Sequence, residues 1–333
     1  MANFTAVEKL LREATGTIFP AAQLVVVDGF RVVLDRAVGE ATEQTLFDIA
    51  SLTKPLSTVT LTMLLVDRGQ LSLNGQVRPG MTIRQLLSHS SGLPAWKQLS
   101  AGPDSASVRE GIVEAARREP LETPPGTHAS YSDLGFILLG DALEHATGRR
   151  LDALFADEVA RQLGLGTTFR PSDRSRCAPA EGLRGIVHDQ NARAMEGVAG
   201  HAGLFSTAED VSLLGDALMA AWRDADPALV SGKRPRVVEP RTVRTFWSPS
   251  EVPDSTWCLG WDRPSLVGSS AGERWPRDGV GHLGFTGCSM WLDPRRARSV
   301  VLLSNRVEPT RQNDRIKAFR PILHDAISEA LDG

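Results

Sequence analysis

At 333 residues, with 41% hydrophobic and 23% charged side chains, the chain has the composition of a folded globular protein, which excludes wholesale disorder. Its 37 basic and 40 acidic side chains leave a net charge of -3, so no whole-molecule field favours nucleic acid or an anionic membrane surface. No apolar run approaches the length of a membrane span.

Met1 to Arg12 carries Glu8, Lys9 and Arg12 among apolar residues and reads as an amphipathic helix. It lacks the basic start, apolar centre and small-residue cleavage site of a secretory signal, so the expected compartment is the cytoplasm. Ala21 to Asp28 and Arg31 to Val38 are β-rich runs broken by Gly29-Phe30, which predicts an antiparallel hairpin. After Ser51, the residues Leu52, Leu56, Val59, Met63, Leu64 and Val66 recur with helical spacing. That helix is apolar on most sides, with threonines as its main polar residues, and is expected deep in the protein, stopping at Gly69. Thr82 to Gln85 has the capping-box pattern and opens a short helix ending near His89. Further helices are expected at 105–118, at 133–147 closed by Gly148, and at 151–163. Residues 167–201, rich in Gly, Pro and Arg, are expected to form loops packed on the body. Ser206 to Glu209 reads as a second capping box, before Val211, Leu214, Leu218 and Trp222.

The last third changes character. Trp257 to Trp261, Gly279 to Leu283, Cys288 to Leu292 and Ser299 to Leu303 read as short strands, with a turn at Asp293-Pro294. A closing helix runs to Leu331, with Pro321 placed near its first turn. Strands at both ends with helices between them predict an α+β architecture. Its sheet domain is built from 1–80 and 205–333, and a mostly helical insert spans 81–204.

Rare residues carry the chemical signal. There are five lysines, at 9, 54, 97, 233 and 317, and a single tyrosine, Tyr131. Neither ammonium nor phenol chemistry is supplied by Arg or Phe. Ser51-Leu52-Thr53-Lys54 places a hydroxyl and an amine three residues apart at a helix start, within hydrogen-bonding reach. A serine hydroxyl is a poor nucleophile until a neighbour removes its proton. The plain alternative, a helix cap followed by a solvated lysine, sits badly with Lys54 in the most apolar helix of the chain. Tyr131-Ser132-Asp133 puts the tyrosine at a loop-to-helix junction. A phenol beside an ammonium has its ionised form stabilised and so can relay a proton; the plain alternative is a half-buried tyrosine next to a Ser/Asp cap. In the third segment, Gly281 to Gly287, glycines bracket a strand and let backbone approach a ligand closely. An N–H there, paired with that of Ser51, could form an oxyanion hole; the plain alternative is a bulged edge strand with an incidental His282.

Together the three segments resemble the serine β-lactamase and penicillin-binding-protein family, in particular its class C-like β-lactamases, esterases and D-peptidases. The signatures are S-x-x-K, then Y-x-N or S-x-N, then a K-T-G or H-x-G strand, here in the family's order. Leu86 to Leu93 and Gly200 to Thr207 also look like family segments, so the resemblance spans residues 20 to 330. It implies a β-lactamase/DD-peptidase-like fold: an antiparallel sheet flanked by helices, a mostly helical domain, and the site in the cleft between them. Carried over by motif, Ser51 is the nucleophile, Lys54 its proton partner and Tyr131 a general base and acid. Ser51 and Phe285 supply the oxyanion N–H groups, and Leu283 and Gly284 lie on the strand that docks the substrate.

Two departures bear on the substrate. Asp133 stands where the family often has Asn. It either points at Lys54, holding the ammonium protonated so that Tyr131 takes the serine proton, or faces a substrate amine as an aminopeptidase requires. His282 replaces the lysine of K-T-G and removes fixed positive charge, which favours a neutral ester or amide over a penicillin or a D-Ala-D-Ala peptide. The chemistry expected is serine hydrolysis of small esters, amides or lactams through an acyl-enzyme, with no cofactor. A D-aminopeptidase, DD-peptidase or β-lactamase, an acyltransferase using the same acyl-enzyme, and a non-catalytic binding protein of this fold are the alternatives.

Other features read plainly. Cys177, Cys258 and Cys288 fit neither a disulfide framework nor a paired zinc site and read as buried thiols. His188, Asp189 and His201 match no common zinc spacing and read as a hydrogen-bonded loop over the cleft, with no metal. His89 is expected to brace its loop. Trp257, Trp261 and Trp291 are candidates to line an apolar pocket.

Overall fold

The computed structural model describes residues 2–102, 105–226 and 235–333; Met1 and Lys233 lie outside them. The first helix, α1 (Thr5–Ala14), buries Val7, Leu11 and Ala14. The expected hairpin follows as β1 (Ala21–Asp28) and β2 (Arg31–Gly39), turning at Gly29 and Phe30, both in the left-handed region. A short β3 (Phe47–Asp48) leads into the segment that carries Ser51.

That segment is less regular than its apolar spacing predicts. A 3-10 turn over Ala50–Leu52 passes into a wide π-helical stretch over Lys54–Val59 and only then into α2 (Thr60–Asp67). Its threonines are buried because their hydroxyls are satisfied: Thr58 donates to Gly200 O at 2.7 Å, Thr60 to Pro55 O at 2.9 Å and Thr62 to Thr58 O at 2.7 Å. Gly69, with φ +68, ends the element as expected. Strands β4 (Gln76–Arg78) and β5 (Met81–Thr82) precede α3 (Ile83–Leu87), whose capping box of Thr82 and Gln85 is fully formed.

Helices α4 (Val108–Arg118) and α5 (Asp133–Thr147) start at Ser107 and Ser132 caps, and Gly148 closes α5 in the left-handed conformation. The 151–163 region is α6 (Leu151–Phe155), a π-helical turn and α7 (Arg161–Leu163). The 167–201 stretch is largely irregular, interrupted by β6 (Thr168–Phe169), a 3-10 turn at Arg174–Arg176 and α8 (Gln190–Ala194). Next come β7 (Leu204–Ser206) and α9 (Ala208–Arg223). The cap of α9 is Thr207 bonded to Asp210 N, one residue later than expected, because Ser206 belongs to β7 and pairs with Phe47. Helix α10 (Pro240–Phe246) follows.

Trp257 to Trp261 is not a strand. The chain reverses there, with Gly260 at φ +78 and Cys258 N donating to Trp261 O at 2.7 Å, and only Asp262 bridges to Gly281. The other three strands form as β8 (Val280–Leu283), β9 (Ser289–Asp293) and β10 (Arg298–Ser304). The closing α11 (Ile316–Asp332) contains Pro321 in its second turn rather than its first.

The main sheet is antiparallel with order β2-β1-β10-β9-β8, so strands from both chain ends pair directly, Ala22 opposite Ser304 and Val27 opposite Ser299. Period-two alternation divides β1 between two cores. Ala22, Leu24 and Val26 join α1 and α11 on one face, with Leu11, Leu323 and Ile327. Ala21, Val25 and Val27 join the larger core that contains α2, α5 and α9. With helices on both faces the fold is α+β. Strand β8, at the sheet edge, is thereby set beside the Ser51 segment. Among the described residues no helix is long and apolar enough to cross a membrane.

Candidate active site

Ser51 follows a strained turn. Ala50 has φ +47, uncommon for a residue with a Cβ. The turn is fixed by Asp48, a buried carboxylate whose two oxygens accept Ala50 N at 2.9 Å and His188 N at 2.7 Å. Three residues on, Lys54 is wholly buried. Its ammonium faces Ser51 Oγ at 3.0 Å, Tyr131 OH at 2.5 Å, Asp133 Oδ1 at 2.5 Å and the His201 carbonyl at 3.1 Å. Tyr131 OH donates to Ser51 Oγ at 2.7 Å. Hydroxyl, amine and phenol thus close a triangle of hydrogen bonds from residues up to 80 positions apart.

Tyr131 is clamped by the loop after α3. Ser132 N donates to His89 Nδ1 at 3.1 Å, Ser132 Oγ to Pro94 O at 2.7 Å and Asp133 N to Ala95 O at 2.8 Å. The His89 ring lies 4.7 Å from the phenol ring, centre to centre, and Trp257 packs on both. Accepting at Nδ1 places the His89 proton on Nε2. Burial holds this imidazole well below its ordinary pKa, so it is neutral. His89 braces, as its loop position suggested.

Burial sets the electrostatics of the triangle. It lowers the Lys54 pKa from the ordinary lysine value, with Asp133 pulling in the opposite direction. It raises Tyr131 well above an ordinary phenol, and the Asp133 carboxylate adds to the rise. The expectation that the ammonium would stabilise a phenolate is therefore corrected: desolvation and a neighbouring anion keep Tyr131 protonated. Of Asp133's two possible orientations, the one toward Lys54 is observed, but the consequence expected from it is corrected: burial is the larger effect and lowers the Lys54 pKa, while Tyr131 is raised, so the orientation does not leave the serine proton to Tyr131. His282 is pushed down to about 3 by burial and by Lys54, and its ring pairs through Nδ1 with Leu283 O at 2.8 Å, so it brings no charge.

Glycines in and just after β8 permit close packing, Gly281 against the neighbouring strand and Gly284 against the nucleophile segment. A Cβ on Gly284 would fall 2.6 Å from Ile49 O, and one on Gly281 would fall 2.3 Å from the Trp291 ring. Thr286 Oγ1 donates to Asp48 O at 2.7 Å and fastens the β8–β9 turn to the nucleophile turn. Among the described residues the N–H groups of Ser51 and Phe285 have no protein acceptor. Phe285 is half exposed, stacked on His188 at 5.7 Å, with the Arg306 guanidinium 4.5 Å from its ring centre.

These groups border a cleft of about 840 Å³, whose walls include Ser51, Tyr131, Asp133, His282, Leu283 and Phe285. Gly284 also lines it, while Lys54 lies beneath the floor. Of the three tryptophans singled out in the sequence, only Trp257 reaches the cleft, joined by Trp96. Trp261 and Trp291 are core residues, since the 257–261 segment turns instead of pairing and Trp291 faces α11. On the far wall, His201 Nε2 pairs with Asp189 Oδ1 and His188 Nε2 with Glu181 Oε2, each at 2.8 Å. Against the opposing effect of burial, His201 and the Ala192 N–H hold the Asp189 carboxyl well below the usual range. The three thiols are buried and free, with pKa values pushed up by burial to about 11 for Cys177 and Cys288 and about 12 for Cys258.

Asp48 and two cleft arginines, Arg306 and Arg320, escaped the sequence reading. Asp and Arg are abundant in this chain, and nothing in their spacing separates these from solvated ones.

The Beta-lactamase family model matches residues 7–321. An N-acetylmuramyl-L-alanine amidase of Bacillus subtilis (strain 168) is 29% identical over 366 residues, spanning 90% of this chain and 80% of its own. A putative D-alanyl-D-alanine carboxypeptidase of Escherichia coli (strain K12) is 28% identical, spanning 86% and 79%. Among solved structures the fold is similar to EstCE1, a hydrolase with promiscuous acyltransferase activity (TM-score 0.76, 21% identity, 97% of each chain). It is also similar to a D-stereospecific amidohydrolase from Streptomyces sp. (TM-score 0.68, 19% identity, 91% and 94%).

Proposed function

We propose, for a chain that belongs to the Beta-lactamase family of serine hydrolases, that Ser51 attacks the carbonyl of a small ester or amide and carries the acyl group as a covalent intermediate. The observation that supports this reading best is the closed triangle of Ser51, Lys54 and Tyr131, at 3.0, 2.5 and 2.7 Å.

The pKa directions divide the work. Lys54, lowered by burial, is the group whose neutral amine accepts the Ser51 proton as Oγ bonds to the carbonyl carbon. Tyr131, raised, is the acid that gives its proton to the departing oxygen or nitrogen and regains one from Lys54 across 2.5 Å. Negative charge on the carbonyl oxygen is received by the free N–H groups of Ser51 and Phe285. Water then attacks the acyl-enzyme by the same relay in reverse. Asp133 tunes Lys54, and His282, Leu283 and Gly284 form the docking edge. The same reading takes 1–80 with 205–333 as one body and 81–204 as the other, Ser51 and β8 coming from the first and Tyr131 and His201 from the second.

A panel of p-nitrophenyl esters, D-amino-acid amides and a chromogenic cephalosporin tests the proposal. Turnover of at least one class is expected. Ser51→Ala abolishes it, and Tyr131→Phe lowers kcat by roughly 10²–10⁴ with little change in melting temperature. Near-normal rates in either variant remove that residue from the mechanism.

A further inference from the structure

The N–H groups of Ser51 and Phe285 come from segments near opposite ends of the chain, and one residue, Asp48, is tied to both. Its Oδ1 accepts the Ala50 N–H at 2.9 Å, which holds the left-handed turn immediately before Ser51 N. Its main-chain oxygen accepts a hydrogen bond from Thr286 Oγ1 at 2.7 Å, immediately after Phe285. Its Oδ2 accepts the His188 N–H at 2.7 Å. The His188 ring, paired with Glu181 Oε2 at 2.8 Å, in turn stacks on Phe285. Asp48 is itself fixed in β3, opposite Phe205 of β7. Three separate contacts therefore run from this residue toward the two N–H groups.

Asp48 is only 4% exposed, and burial raises its pKa while the two N–H bonds oppose the rise. A carboxylate in the interior works against folding unless its oxygens are bonded. Its chemistry suits this place. A carboxylate offers an acceptor on each oxygen and no donor, whereas Asn would turn its NH2 toward one of the two N–H groups. Among the described residues Asp48 makes no hydrogen bond to Ser51, Lys54 or Tyr131, so it acts through the backbone that it holds. From this geometry we infer that Asp48 is a positioning residue, which sets the span between the Ser51 and Phe285 N–H groups. Those groups act most strongly on the carbonyl oxygen once it is tetrahedral and negative, so the span matters to kcat more than to KM. This rests on the hydrolase reading above and adds to it how the oxyanion site is held open at one width.

The test compares the native enzyme with Asp48→Asn, Thr286→Val and Thr286→Ser on a p-nitrophenyl ester and on phenylboronic acid. The boronic acid probes the tetrahedral state. Boron bonds to Ser51 Oγ, the serine proton passes to Lys54, and an oxygen of the resulting boronate anion takes the place of the carbonyl oxygen. The rate is expressed per reactive site, counted by end-point labelling of Ser51 with a fluorophosphonate. Asp48→Asn is expected to lower kcat per site about tenfold to a hundredfold, to change KM by less than about threefold, and to weaken boronate binding about tenfold or more. Thr286→Val is expected to act in the same direction, and Thr286→Ser, which keeps the hydroxyl, to restore most of that loss. A merely structural role would lower the melting temperature and the number of reactive sites, leaving kcat per site and boronate affinity unchanged. If Asp48→Asn does not fold, the two Thr286 variants carry the same comparison. Boronate binding needs no turnover, so it reads the span even with a poor ester. Unchanged kcat per site and boronate affinity, or a loss of kcat without weaker boronate binding, overturns the positioning role and leaves the hydrolase reading intact. Native protein that neither hydrolyses an ester nor takes boronate or fluorophosphonate on Ser51 fails the hydrolase reading, and the positioning role falls with it.

Discussion

Lys54 is wholly buried: a carboxylate, a phenol, a hydroxyl and a carbonyl surround it, and burial alone favours the neutral amine. Asp133 is the group that opposes this, so replacing it has a definite sign. In Asp133→Asn the Lys54 pKa falls further, the basic form is available at lower pH, and the acid limb of kcat/KM moves down by roughly one unit or more. A pH-rate profile checks it; an unchanged or upward-shifted limb contradicts the assignment of Lys54 as base. At this scale the sequence was most legible where residues are rare. One tyrosine and five lysines directed attention to Tyr131 and Lys54. The protonation state of Tyr131 was not legible, because it depends on a depth of burial and an orientation of Asp133 that spacing does not encode. Asp48 shows the same limit, as its two hydrogen bonds reach Ala50 and His188, 140 residues away.

The end of β8 works by proximity, and Gly284, just past the strand, is where the backbone meets the nucleophile segment. A methyl group there meets the Ile49 carbonyl at 2.6 Å, a backbone atom that cannot step aside as a flexible side chain would. Gly284→Ala is therefore expected to push the Phe285 N–H away from the serine and lower kcat by about a hundredfold, the scale of a 1 Å misplacement. Steady-state kinetics alongside a melting curve measures it, and a variant with native kcat would separate β8 from the reaction. Elements with strong local patterns were read correctly: the period-two hairpin of β1 and β2, the Thr82 capping box, and α5 with its Gly148 stop. Elements decided by tertiary contacts were not. Trp257 to Trp261 has strand composition, yet Gly260 adopts φ +78 and its N–H donates to Leu87 O at 2.7 Å, which reverses the chain. The π-helical turn after Ser51 likewise packs on Gly200 and His201 through Thr58 and Lys54, partners that apolar periodicity does not reveal.

Across the whole molecule, the sheet is a frame closed by pairing the second element of the chain with its last strand. Strand β1 is sealed on both faces, and on its α11-facing side Leu24 is not among the residues that line the cleft. Leu24→Ala on that side is expected to cost about 2–5 kcal/mol of stability while leaving kcat near native well below the melting transition. Denaturant titration and kinetics on one preparation decide this, and an activity loss without a stability loss would show that the two regions are not separable. The alternation of strands at both ends with helices between made this architecture readable, because sheet pairing of the termini is the compact way to bury both. What the frame achieves is the meeting of Ser51, Lys54, Tyr131 and the 281–287 turn at one cleft. The most direct measurement of that claim is intact-mass and peptide mass spectrometry of the protein quenched during turnover of a p-nitrophenyl ester. A single acyl adduct on the peptide containing Ser51, absent in Ser51→Ala, is the expected result; an adduct on another residue, or undiminished hydrolysis by Ser51→Ala, would contradict it.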